Sequence, residues 1–280
     1  MTNALIVGGL TIDRFPDGSL APGGSVLHAG LAVRAEDAAL TTLTVSGDEP
    51  AARDGLERLR DLGTLAHQRA PRTTFYAHHE RDGVRVLVLE AQAEPIQPTG
   101  LAGLARPDVA LVAPIAHEVT PSLVDALRAQ LNPGRVVLLI QGWLRRLVEG
   151  EEVRALALDT LSADQLRVIA GADAIVVSTE DLVESPDDAF AQAAELRLRA
   201  GTKPIVVVTL GDEGYLLDDP AQDRVVASVP RRVVTGVSAV GAGDTFGAAL
   251  AVNLARGASP TAAADAATER VISVLEQRRV

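Results

Sequence analysis

The stretch VSAVGAGDTFGAALA, residues 237–251, sets two glycines and an aspartate directly in front of a run of small and apolar residues with no strand pattern. Its turn, Gly241-Ala242-Gly243, predicts a helix that starts at Asp244 and runs to about Arg256, preceded by a short strand at Val233–Val237. Backbone N–H groups at such a helix N-terminus point the same way and carry the positive end of the dipole, which makes an anion site. Asp244 then has two readings. As an N-cap it contributes about 1 kcal/mol to the helix. Beside a bound phosphate it is a base, able to take the proton of a ligand hydroxyl while the amides stabilise a transferring phosphoryl group. Spacing alone leaves both readings open.

The rest of the chain supplies the scaffold for this turn. Apolar β-type runs at Ala4–Val7, Leu40–Val45, Val109–Ala113, Val136–Ile140, Ala174–Val177 and Ile205–Val208 are separated by helix-type stretches. That alternation predicts an α/β fold, a mostly parallel central sheet flanked by helices. One segment departs from it: Thr73–Glu80, the turn Arg81-Asp82-Gly83 and Val84–Glu90 read as a β-hairpin inserted between units. No low-complexity linker divides the chain, so the expectation is one domain over 1–280, with 72–98 as a small lid insertion.

Composition excludes several functions. No apolar run approaches the roughly 18 residues needed to span a bilayer, and the N-terminus has no basic-then-apolar pattern, which predicts a soluble, cytoplasmic protein away from membranes. The absence of cysteine removes disulfides, thiolate metal sites and a cysteine nucleophile. A net charge of −11 argues against nucleic-acid binding. Lys203 is the sole lysine and does not follow a GxxxxG segment, so a P-loop is excluded. A dinucleotide fingerprint is disfavoured as well. Gly241, Gly243 and Gly247 are spaced one residue too long, and 33 residues after Gly247 are too few for the remaining βαβ units.

Four segments, taken in order, resemble the ribokinase-like (PfkB) carbohydrate kinases: GGLTID (8–13), PGGSVLHAG (22–30), TLGDEG (209–214) and SAVGAGDTF (238–246). The resemblance implies an ATP-dependent, magnesium-requiring phosphotransferase acting on a hydroxyl of a small sugar or polyol. It makes Asp244 the general base and Gly241, Ala242 and Gly243 the anion hole. Thr209, Gly211 and Gly214 would line the ATP site, and Asp13, Gly23, Gly24, His28 and Gln141 would face the acceptor. Asp13 also follows the C-terminal end of a buried strand, where α/β proteins bind ligands.

The departures from the pattern carry expectations of their own. His28 stands where the family usually has asparagine, and Ser178-Thr179-Glu180-Asp181 replaces its Asn-x-x-Glu element, leaving Asp181 and Glu180 to organise Mg2+ through water. The signature opens Ser238-Ala239 where many relatives have an aspartate that helps hold a stimulating monovalent cation, so transfer is expected to be indifferent to potassium. Only nine residues separate Asp13 from Gly23, so one lid segment is nearly absent, and the 73–90 hairpin is expected to cover the pocket alone or with the partner subunit of a homodimer. Arg145 and Arg146 either neutralise phosphate or are simply solvated, and Trp143 either offers a ring face to a sugar or, the commoner role, packs its loop. PGGSVLHAG and QGWLRR look most like the branch containing myo-inositol kinases. The alternatives are a nucleoside kinase of the same family and a catalytically weak nucleotide- or sugar-binding sensor.

Overall fold

The computed structural model describes residues 1–81, 84–182, 188–222 and 225–279; Asp82 and Gly83, the centre of the predicted hairpin turn, lie outside them. The six apolar runs form the strands β1 Asn3–Gly8, β4 Ala39–Ser46, β8 Val109–Ala113, β9 Arg135–Leu139, β12 Ala174–Ser178 and β13 Ile205–Thr209. With β5 Thr64–Arg69, β14 Tyr215–Asp218 and β15 Val225–Ser228 they build a nine-stranded sheet in the order β15-β14-β13-β12-β9-β8-β1-β4-β5. Pairing is parallel from β5 through to β13 and antiparallel for the last two strands. In β8, Val109, Leu111 and Ala113 enter one core while Ala110 and Val112 enter the other. A strand covered on both faces has no polar side, so it reads as a continuous apolar run.

Helices α1 Ser25–Ala35, α2 Pro50–Leu62, α6 Ala242–Ala255 and α7 Pro260–Gln277 cover one face, and α3 Pro121–Leu131, α4 Ala163–Gly171 and α5 Ala189–Ala200 the other. Local chemistry starts several of them. Thr120 and Ser259 accept from the third helical amide with proline at the first position of α3 and α7, and α4 has a Ser162/Gln165 capping box. Helix α6 is buried without a break from Asp244 to Val252, packed on α1, α7 and the sheet, which is why it is apolar all round. A Cβ at Gly247 would come within 2.4 Å of the Leu139 side chain, so this helix lies close against β9.

A second sheet joins β2 Thr11–Arg14, β3 Leu20–Gly23, β6 Thr74–Arg81 and β7 Val84–Ala91 in the order β3-β2-β6-β7. The predicted hairpin is therefore only half of it. The segment between Asp13 and Gly23 is short, but it forms two paired strands, and β2 runs parallel to β6 with Asp13 opposite Tyr76. Four-residue strands have too few alternations to announce themselves, and this pairing partner lies some sixty residues away. The expected strand at Val233–Val237 does not form. Residues 229–240 are largely exposed and make no ladder, because β15 ends the sheet before them. A two-residue pair, β10 Arg145–Arg146 with β11 Arg154–Ala155, follows the loop after β9. Among the described residues no helix is long and apolar enough to cross a membrane.

Candidate active site

A cavity of about 250 Å3 opens where β1, β9, β12 and β13 end, between the second sheet and the N-terminus of α6. Every loop that lines it leaves a strand at its C-terminal end, where an open α/β sheet leaves room for a ligand. The volume suits a small molecule.

Helix α6 begins at Ala242, and its N-cap is Gly241 at φ 77°, in the left-handed region that favours glycine. A side chain at Gly241 would also strike the His28 ring, whose nearest atom lies 2.2 Å from where a Cβ would sit. Asp244 is thus the third residue of the helix and makes no cap hydrogen bond, so the capping reading of the sequence does not hold. Its carboxylate is buried, and Oδ1 has no hydrogen-bond partner. Burial raises its pKa to about 7, with Arg145 pulling it down and Asp181 and Glu118 pushing it up.

The amides of this turn differ in one detail from expectation. The Ala242 N–H is spent on the Ala239 carbonyl at 3.0 Å. Among the described residues the amides of Gly243 and Asp244 have no protein acceptor, and a Cβ on Gly243 would meet nothing within 4 Å, so Gly243 faces open cavity. Among the described residues the Gly241 amide has no protein acceptor either, so the free amides at this turn are those of Gly241, Gly243 and Asp244, and that of Ala242 is not among them.

Across the cavity Asp13 presents its carboxylate from β2, 8 % exposed, with Thr11 Oγ1 donating to Oδ1 at 3.3 Å and His78 Nε2 at 3.4 Å from the same oxygen. Gly23 does not line the cavity. A Cβ there would lie 2.1 Å from Asp13 Oδ2, so its role is to let that carboxylate lie against β3, while Gly24 does face the cavity. Tyr76, His78 and Leu87 from β6 and β7, together with His28 and Gln141, complete this end.

Arg145 joins the two ends. Its Nη1 donates to the Ile115 carbonyl at 3.1 Å, Nη2 to Gln141 Oε1 at 3.4 Å, and Nη2 lies 3.8 Å from Asp181 Oδ1. Burial works against its charge, but Asp181, Tyr76 and Asp244 outweigh that and keep it a cation. The Ile115 carbonyl also accepts from the Tyr76 hydroxyl at 3.1 Å. That loop is tied by buried Glu118, which accepts from the amides of Ile115 at 2.9 Å and Ala116 at 2.8 Å. Arg146, next in sequence, points to solvent and pairs with Glu151. Trp143 is buried with its indole N–H on the Val119 carbonyl at 2.8 Å, so it packs the loop and offers no face to a ligand.

Residues 152–270, which carry β12, β13, the 209–214 turn and α6, match the model of the pfkB family carbohydrate kinases. Over that segment the chain is similar to this family. The bifunctional protein HldE of Mesorhizobium japonicum is 28 % identical to this chain over 298 aligned residues, 94 % of this chain and 56 % of that protein. The chain spans between about a third and just over half the length of the curated relatives it matches. A pyrophosphate-dependent kinase in the ribokinase family, solved with a pyrophosphate analog and myo-inositol, superposes with a TM-score of 0.80 at 20 % identity, over 98 % of this chain and 95 % of that one. A fructokinase double mutant from Vibrio cholerae O395, with fructose, ADP and potassium ion bound, gives 0.73 at 20 % identity, over 97 % and 90 %.

At the other end of the cavity, Thr209, Gly211 and Gly214 line the wall, joined by Ala239, Val240 and, from α7, Thr268 and Val271. Among the described residues no group of three or more acidic or histidine side chains forms a cage for a metal. Asp181 faces Arg145, and burial raises its pKa, while Glu180 is exposed at the cavity wall. Oxygen donors this sparse fit Mg2+ held through water and donor phosphates, and not a dedicated protein cage. Tyr76 and His78 escape the sequence reading because β6 reaches the site only by pairing with β2, while Thr11 and Glu118 bond near neighbours, Asp13 and the 115–116 amides, in patterns that no motif marks.

Proposed function

We propose that this chain transfers the γ-phosphoryl group of ATP to a hydroxyl of a small sugar or polyol. The observation that carries the reading is the Asp244 carboxylate, buried with Oδ1 unpartnered and its pKa near 7, one residue after the cavity-facing Gly243 at a helix N-terminus. A buried ionisable group with no structural partner, facing a cavity, is costly to keep unless it has work to do.

In this reading Asp13, with Thr11 and His78 beside it, holds acceptor hydroxyls, and the second sheet serves as the lid. Asp244 Oδ1 takes the proton of the reacting hydroxyl. As the acceptor oxygen bonds to γ-phosphorus, the bond from γ-phosphorus to the bridging oxygen breaks and ADP leaves. The amides of Gly243 and Asp244 and the guanidinium of Arg145 face the charge on the transferring group. Mg2+, held through water by Glu180 with Asp181 as the counterion of Arg145, would supply charge neutralisation on the donor phosphates. Thr209, Gly211 and Gly214 receive the nucleotide. The protein works in the cytoplasm, and an inositol-like polyol is the favoured acceptor, ahead of nucleosides.

The test is a screen of sugars, polyols and nucleosides with ATP, with a parallel arm using pyrophosphate, the donor of the fold relative described above. ADP release that depends on a polyol or sugar is expected. Transfer to nucleosides alone, or tight ligand binding with no turnover on any acceptor, would overturn the assignment.

Asp13→Ala is expected to raise the acceptor KM by about 10–100-fold and leave the donor KM near its original value, the scale of losing hydrogen bonds to a charged group at about 1.5–3 kcal/mol. A change confined to the donor KM would contradict the placement of Asp13. The pH profile follows from Asp244. Since it must be ionised to accept a proton, kcat/KM for the acceptor should rise about tenfold per pH unit below pH 7 and level off above it. A profile flat from pH 5 to pH 8 would argue against Asp244 as the base.

A further inference from the structure

The loop that leads into the anion hole is held from behind by the end of α7. Arg278, the C-cap of that helix, donates from a single nitrogen, Nη1, to two carbonyls, that of Ser238 at 2.6 Å and that of Val240 at 2.9 Å. Arg279 Nη2 donates to the Thr235 carbonyl at 3.0 Å. Ser238 and Val240 stand three and one residues before the N-cap Gly241, from which the amides of Gly243 and Asp244 project. Among the described residues Arg278 forms no ion pair with a carboxylate, so its charge is met by carbonyl dipoles alone.

Two carbonyl oxygens converging on one positive centre is the coordination chemistry of a monovalent metal ion, and here the centre is a guanidinium nitrogen. The fructokinase with the same fold was solved with potassium bound. In this chain a potassium ion at the Ser238–Val240 turn would find both carbonyls engaged and no carboxylate among the side chains of Ser238, Ala239 and Val240, and Ser238 Oγ already accepts from the Val240 amide at 3.4 Å. The residues present do not fit the ion.

We propose that Arg278 is a positioning residue that replaces a diffusible monovalent cation with a tethered one. Its guanidinium fixes the carbonyls of Ser238 and Val240 and through them the left-handed turn at Gly241, which aims the anion-hole amides. The inference rests on the phosphotransfer reading for its kinetic consequence, but not for its ion-binding consequence. A covalently attached charge is present at any salt composition, so the loop needs no potassium. It also alters what the signature position can do: an aspartate introduced at Ser238 would pair with Arg278 before it could recruit an ion.

The test uses the full chain, with R278M, which keeps the bulk and removes the charge, and R278K, which restores a charge. Thermal midpoints and initial rates are measured in potassium chloride and in tetramethylammonium chloride at equal ionic strength. The wild-type protein is expected to show the same midpoint and kcat in both salts. R278M is expected to lose about tenfold or more in kcat in tetramethylammonium, in the range for weakening one oxyanion contact. It should regain part of that in potassium and have a higher midpoint there, with R278K close to wild type. S238D alone should remain indifferent to potassium, and S238D/R278M should respond most.

Several-fold potassium activation of the wild type would overturn the proposal, as would an R278M variant whose midpoint and kcat ignore potassium, since a purely structural tether would be lost without an ionic rescue. If no acceptor turns over, the phosphotransfer reading fails, while a potassium-specific rise in the R278M midpoint still supports the ion replacement and its absence rejects it. Should R278M not fold, R278K and S238D carry the same contrast: a potassium response in either that exceeds the wild type's overturns it.

Discussion

Asp244→Asn lowers turnover by about 10²–10⁴-fold, the usual contribution of a positioned general base, with donor affinity retained. The amide keeps the size of the carboxylate but cannot take the proton, and the acid limb of the pH profile disappears with it. Because Gly241 and not Asp244 occupies the N-cap, the substitution removes no cap. It also removes a charge buried against its preference. The folded pKa of about 7 lies above the unfolded value near 4, so the wild-type group contributes stability that is full below about pH 4 and lost as pH rises through 7. The variant is therefore expected to melt higher than wild type at pH 8, with the gap closing toward pH 4. Full activity in a well-folded Asp244→Asn protein would remove Asp244 from the mechanism.

Arg145→Gln should be nearly as costly, about 10²–10³-fold in kcat/KM, the scale for removing one charge-stabilising donor. Arg145 is the group that pulls the Asp244 pKa down, and it lies 3.8 Å from Asp181. Without it the Asp244 pKa moves further above 7, so the acid limb of kcat/KM must shift to higher pH. A steady-state profile measured from pH 6 to pH 10 separates this from a plain loss of packing, which would lower the curve without displacing it. Lower activity with an unmoved limb would reduce Arg145 to a scaffold for the 141–145 loop.

Much of the fold was legible in the primary sequence. The six strands at the centre of the large sheet are buried on both faces, so each shows as a continuous apolar run bounded by polar or glycine-containing turns, and all six form near the expected residues. The turn at Gly241–Gly243 was legible for a similar reason, since its chemistry is local. The backbone needs a residue tolerant of positive φ at 241 and an open face at 243, and glycine meets both needs. The 233–237 segment shows the limit of such reading. It has the β-branched residues of a strand but no neighbour to pair with, and strand propensity without a partner makes no strand.

What the sequence determined by itself was the alternation of elements, the glycine-bounded helix start and the presence of an aspartate beside it. The tertiary structure decided which charges meet. Arg145 and Arg146 are indistinguishable as neighbours in a string, yet one is buried against Asp181 and the other pairs with Glu151 in solvent, because the short strand they begin turns alternate side chains to opposite faces. The same holds for the acceptor end, where Asp13 meets His78 only through the parallel pairing of β2 with β6, and for Arg278, which reaches the 238–240 carbonyls from the far end of α7. Contacts between residues 36 to 65 positions apart depend on how sheets and helices close on one another, and no local periodicity encodes that closure.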